Sequence, residues 1–337
     1  LFYNLENALV RNLVMSSPDI KGNNEIGTIV GYIDYNYNAT FSNITVTDAK
    51  LVGKDYVGGI GGYFSNYTYI RITDNTTVSG SIKGDDKVGG LIGMADSDSD
   101  IYIEDSGNSA SVTGNNRLGG LIGLADNNND IQIINSTNTG NITGNNRLGG
   151  FIGYVNNKDE IKIIDSTSSG NVAGNLSVGG FVGFADTKAI VRIRRSTASG
   201  TISGFQEVGG FVGYVDKKVI IKNSSFTGSV IGTDYRVGGL VGYGHNVEIG
   251  NSFNTGSVSG TSRVGGLVGS ADDLLIEASH NTGGINATFT GKDNLMDYKG
   301  VGGLGGIAWN TEINSSYNLG EVSGNGSLYV GGLLGAG

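Results

Sequence analysis

The sequence predicts an all-β chain coiled into a parallel β-solenoid (β-helix). Three observations carry this: a motif that recurs about every 30 residues, short strand-like runs between turn residues, and no helical periodicity. The motif is V-G-G-h-h-G, where h is mostly apolar. It starts at Val57, Val88, Leu118, Leu148, Val178, Val208, Val237, Val264, Val301 and Val330, with a degenerate copy, IGTIVG, at Ile26. Successive starts lie 31, 31, 30, 30, 30, 30, 29, 27, 37 and 29 residues apart. Self-similarity at that period marks an array in which each unit packs on its neighbours.

Each unit reads as three short strands. The first is the glycine element, as in RLGGLIGLA. The second alternates, as in IQIINS, with IYIEDS, IKIIDS, VRIRRS and VEIGNS at matching places. The third is brief, NITG or SVSG, with Val112, Ile142, Val172, Ile202, Val230 and Val258 at its centre. Ile- and Val-rich runs bounded by Gly, Asn, Asp and Ser favour strands. Coiling them so that each strand lies on its copy gives three parallel sheets, about eleven turns and a rod on the order of 50 Å long at roughly 4.8 Å per turn. A propeller is the rival, but its blades need four strands and about 40 residues or more.

Stacking on copies also explains the composition. Ile, Val, Ser, Thr and Asn tolerate self-contact through apolar packing or hydrogen-bond ladders, and a column of that kind runs Thr76, Ser106, Ser136, Ser166, Ser196, Ser224, Ser252, Ser279 and Ser316. Glycine, 60 of 337 residues against a single proline, belongs at corners of positive φ or close backbone approach. The whole chain, 1–337, is therefore expected to form one repeat domain. Residues 1–56 are degenerate N-terminal turns, 57–337 are regular, and a longer loop falls at 284–300. The start at Leu1 and the stop within VGGLLGAG suggest part of a longer polypeptide.

A net charge of −9 opposes binding to nucleic acid. No run is long and apolar enough for a membrane helix. The absence of cysteine removes disulfides and thiol chemistry and leaves the compartment open.

The repeated VGGLVG at 237–242 and 264–269, followed by an IxN strand and a closing GxVxG, resembles the GLUG repeat of bacterial and archaeal cell-surface proteins. The opening FYNLENALVRNLVM resembles the lead-in to such repeats. The resemblance covers essentially the whole chain. It implies an exported, cell-surface or secreted protein, adhesin-like, with no catalytic residues in the repeats.

Catalysis needs convergent carboxylates or an equivalent constellation, whereas His245 and His280 occupy different segments and no acidic pair departs from the repeat pattern. The acidic turn at Asp96, Asp98 and Asp100, followed one turn later by Asp126 and Asp130, offers alternate carboxylates as a calcium loop does. Ile101 and Gly107 stand where an EF-hand needs Gly and Glu, so the two readings are a weak calcium site and a solvated acidic corner that discourages aggregation. No other cofactor is expected.

Sequons occur at Asn38, Asn43, Asn66, Asn75, Asn135, Asn141, Asn175, Asn223, Asn286, Asn314 and Asn325. In an archaeal or eukaryotic secretory setting they would be glycosylation sites. The Ser/Thr row at Ser109, Thr139, Ser169, Ser199, Thr227 and Thr255 lacks the second aligned threonine rank of an ice-binding face.

The glycine strand is apolar at both parities, and successive side chains of a strand alternate faces. One set must then point outward, giving a stripe at Leu91, Leu121, Phe151, Phe181, Phe211, Leu240, Leu267, Leu304 and Leu333. A stripe that size, if exposed, is expected to seat a second copy in a dimer or filament, unless the corners fold over it and make it internal.

The expected function is a noncatalytic extracellular structural or adhesive repeat, self-associating or bound to a surface glycan or protein. The alternatives are a carbohydrate-active β-helix enzyme and the noncatalytic stalk of a surface peptidase.

Overall fold

The computed structural model describes residues 7–34, 37–65, 67–96, 98–126, 130–156, 160–289, 299–326 and 329–337. All of its regular structure is β-strand, and every pairing between strands is parallel. The strands form one sheet of 11 and another of 38. The smaller sheet holds one strand from each motif copy, stacked in sequence order, so eleven rungs enclose ten complete turns. The expected β-solenoid of about 30 residues per turn is the observed fold.

A representative turn shows how the sequence builds it. Strands run Asn116–Gly119, Ile122–Asp126, Ile131–Ile134, Thr137–Asn138 and Ile142–Thr143. There are five segments where three were expected, because the glycine element is split by a corner and a further two-residue strand, Thr137–Asn138, follows the alternating one. Register is residue on copy: Leu118 on Leu148, Ile122 on Ile152, Ile133 on Ile163, Ile142 on Val172. Residues 1–56 join the same ladder where they are described. Ala8–Ser16 pairs with Ala39–Val52, and Asn24–Gly27 pairs with Asp55–Gly58. Residues 290–298 of the expected 284–300 loop lie outside the described residues.

The break in the glycine element overturns the expected surface stripe. Leu118 and Ile122, of one parity, and Leu121 and Ala125, of the other, are all fully buried. So are Leu91, Phe151, Phe181, Phe211, Leu240, Leu267 and Leu304, while Leu333, on the last rung, is 41% exposed. The alternation rule holds only within an unbroken strand. Here the chain reverses at Gly120–Leu121, between two strands, so the face that would point outward turns back inward. Phe151, Phe181 and Phe211 then stack edge-to-face at 4.8 and 5.0 Å inside the rod. The internal alternative to the stripe is the one realised, and these residues offer no docking face.

Glycine makes that reversal possible by lacking a side chain. A Cβ on Gly119 would overlap the Ile122 carbonyl oxygen, one on Gly120 the Gly150 carbonyl oxygen, and one on Gly123 would lie 2.6 Å from the Val88 amide nitrogen. All of these obstacles are backbone. Apart from Gly80 and Gly326, positive φ among the described residues falls on other residue types, chiefly in two columns. One precedes the motif, as at Arg117, Arg147, Arg236 and Arg263 (φ 53–66°). The other precedes the buried serine, as at Asp105, Asn135, Asp165 and Asn223 (φ 46–54°). Asn and Asp visit this region at low cost, whereas Arg is held there by the ladder on either side.

Two polar ladders cross the interior. Each of Ser106, Ser136, Ser166, Ser196, Ser224 and Ser252 accepts through Oγ from the backbone N–H of the residue one turn before it in the column or donates to the carbonyl two residues earlier. Ser166, for example, donates to Ile164 (2.7 Å) and accepts from the Ser136 N–H (3.1 Å). The second ladder is asparagine. Asn108 donates to the Ala110 carbonyl and to Asn138 Oδ1, Asn254 and Asn281 repeat the arrangement toward Asn281 and Asn318, and Asn318 ends the run by donating to the Gly320 carbonyl. A buried polar group is tolerated when it is bonded this way. Between the two asparagine runs the column holds Ser168, Ala198 and Phe226, against Gly150, Gly180 and Gly210 of the corner.

Candidate functional site

The five aspartates of the acidic turns are not gathered around a point. Asp96 accepts from the Tyr63 hydroxyl (2.7 Å), Asp100 from the Asp130 backbone N–H (3.1 Å) and Asp126 from Asn156 Nδ2 (2.7 Å). Asp130 accepts from Gln132 and pairs with Lys162 at 3.3 Å, and Asp98 sits at φ 57° in the turn. No group of three or more acidic or histidine side chains among the described residues is placed to hold a metal ion. The carboxylates of Asp96, Asp100, Asp126 and Asp130 are each drawn to a donor of their own or an adjacent turn, which is the natural partner in a stacked array.

The histidines are also separate. His245 pairs with Asp272, and His280 stacks between Phe253 and Tyr317 at 5.0 and 4.8 Å. The sequon asparagines are exposed apart from Asn66, which lies outside the described residues.

The side chains that do converge lie along the corner beside the smaller sheet. On the strand that leaves the corner, Tyr154, Phe184, Tyr214 and Tyr243 form a half-buried aromatic column with centroids 5.3, 4.6 and 5.0 Å apart, Phe184 and Tyr214 being parallel. The column exists because parallel register places each ring on its copy. Tyr154 donates to Asp186 (2.8 Å) and Tyr243 to Asp272 (3.0 Å). Burial, then the hydrogen bond and charge of the neighbouring aspartate, push both hydroxyls up to about 12. Tyr214 is raised too, by burial first and then by Asp216.

Facing this column is the arginine row that precedes the motif. Arg117 forms a two-point ion pair with Asp86, its Nε donating at 2.8 Å. Arg236 pairs with Glu207 at 3.0 Å and lies 4.2 Å above the Tyr243 ring. Arg147 lies 4.6 Å over Tyr154 and 4.9 Å over Phe184. Between row and column runs a shallow groove of about 460 Å³, lined by Asn116, Arg117, Asn146, Arg147, Leu176, Ser177, Phe184, Gln206 and Glu207. Its floor is one register line, Asn116 on Asn146 on Leu176 on Gln206.

None of these residues was singled out from the sequence. The signal that could have found them is the repeat alignment read by column. Position two before the motif carries amides at three of these four turns, and the position just before the motif carries Arg at Arg117 and Arg147. Which columns share a groove depends on the reversal at the corner, which strand patterning does not reveal.

The family model of the GLUG motif matches residues 114–143, one turn of the rod from Gly114 to the end of its last strand. The motif is thus present in this chain, as its repeated glycine elements suggested. Neither the curated proteins nor the solved structures contain a match to this chain.

Proposed function

We propose that this chain is a noncatalytic extracellular repeat rod, a stiff spacer or adhesive segment of a cell-surface protein. The observation that carries the reading is the ladder of eleven rungs, in which equivalent positions of successive turns lie in register with one another. Such a ladder holds turns at fixed spacing and little else: ten steps of about 4.8 Å make a rod of about 50 Å. Exposed positions are then presented at regular intervals along its length, the arrangement repeat proteins use to meet extended partners. The GLUG motif supports the surface location, since the repeats it resembles belong to exported proteins. In this reading the rod works without cofactor or metal, and its partners are a glycan or protein of a neighbouring surface.

Antibodies against residues 57–337, applied to intact cells of the source organism, should label them without permeabilisation. Labelling only after permeabilisation overturns the location. Incubation of the chain with a panel of neutral and acidic polysaccharides should release no product. Product release abolished by changing one or two acidic residues overturns the noncatalytic role.

A further inference from the structure

Arg147 differs from Arg117 and Arg236 of its row. Arg117 and Arg236 each meet a carboxylate, whereas Arg147 makes no ion pair among the described residues and rests only on the Tyr154 and Phe184 rings. Packing on ring faces occupies the plane of a guanidinium and leaves its in-plane N–H fork for an acceptor, and a planar carboxylate fits that fork. The amides beside it are half used. Asn146 Nδ2 donates to Asn116 Oδ1 (2.9 Å), which leaves the Asn116 Nδ2 donors and the Asn146 Oδ1 acceptor for a ligand. Next along the register line Leu176 is 39% exposed, an apolar shelf in the groove that Phe184 also lines.

One cationic fork, paired donors and acceptors at side-chain spacing, and an apolar shelf together match the parts of an acidic sugar: a carboxylate, ring hydroxyls and a C–H face. We propose that this groove binds an acidic saccharide, with the carboxylate on Arg147, hydroxyls on the Asn116 and Asn146 amides, and the apolar face of a ring on Leu176. A neutral sugar would leave Arg147 unpaired. A polyphosphate would need more than one uncommitted cation and would meet a chain of net charge −9. The inference does not depend on where the rod resides.

Calorimetric titration of the full 337-residue chain tests it, with trigalacturonate, 3′-sialyllactose, lactose and triglutamate as probes. One of the two acidic saccharides should bind at least about tenfold more tightly than lactose and triglutamate, and which one distinguishes a uronic from a sialic source. Arg147→Gln should weaken that binding by about tenfold or more with the circular dichroism spectrum and melting temperature unchanged, whereas Arg194→Gln, on another strand, should leave it as it was. Should Arg147→Gln fail to fold, Asn146→Asp, which sets a carboxylate against that of the ligand, should weaken binding at least as much. The proposal is overturned if neither acidic saccharide binds at millimolar concentration, if lactose or triglutamate binds as well, or if the groove variant that folds binds as tightly as the parent chain.

Discussion

Tyr154 and Tyr243 are held protonated by burial and by the aspartates that accept hydrogen bonds from their hydroxyls. Their folded-state values, about 12, lie above the ordinary value of about 10 for a free tyrosine. A group whose folded value is raised contributes stability that is fully present below the unfolded value and is lost as pH rises through the folded one. The rod should therefore lose stability between about pH 10 and pH 12, in step with the late tyrosinate absorbance. Tyr154→Phe should make that decline shallower in melts recorded across the same range, and an unchanged slope would mean that this hydroxyl does not titrate with unfolding. At the same scale, Gly150 is required by its neighbours, because a Cβ there would overlap the Gly180 carbonyl oxygen. Gly150→Ala should cost about 3 kcal/mol, since backbone rather than a mobile side chain must yield. Gly284 has nothing within 4 Å of such an atom, so Gly284→Ala should stay within about 0.5 kcal/mol in denaturant melts. Equal effects at the two sites would refute the close-approach account.

At the scale of the element, the glycine motif is a corner and the segments flanking it are separate strands. This changes what its large residues do. Phe181 stacks between Phe151 and Phe211 with no exposure, so Phe181→Ala should cost about 3–5 kcal/mol, as a cavity in a closed core does. A surface residue would show almost none of that loss, and sedimentation should show no change in association on the way to unfolding. The turn is the unit of the ladder because Asn116 already has the register of Asn146. Excising residues 117–146 joins Asn116 to Arg147 and should leave a folded rod one turn shorter, while excising 117–131 should abolish the parallel-β signal in circular dichroism. Survival of both deletions would mean that register between copies does not govern folding.

For the molecule as a whole, the sequence by itself determined the architecture. A 30-residue period admits one economical packing, each unit on its copy, and the serine column at Ser136 and Ser166 lies where a self-contacting polar residue was expected, bonded through Oγ. The asparagines Asn108 and Asn138 do the same, although their column was not read from the sequence. Periodicity was sufficient because nearly all the contacts that decide this fold join equivalent positions, and equivalence is visible in one dimension. Only the tertiary structure decided which way each side chain points across a corner. Leu121 and Leu118 are both interior because the chain reverses between them, and nothing in the alternation of apolar residues records a reversal. The same turn brings the arginine row against the aromatic column of the next rungs, setting Arg147 over Tyr154 and Phe184. Those residues belong to different columns, and the distance between columns is set by backbone contacts at glycine, which have no side-chain pattern from which to be read.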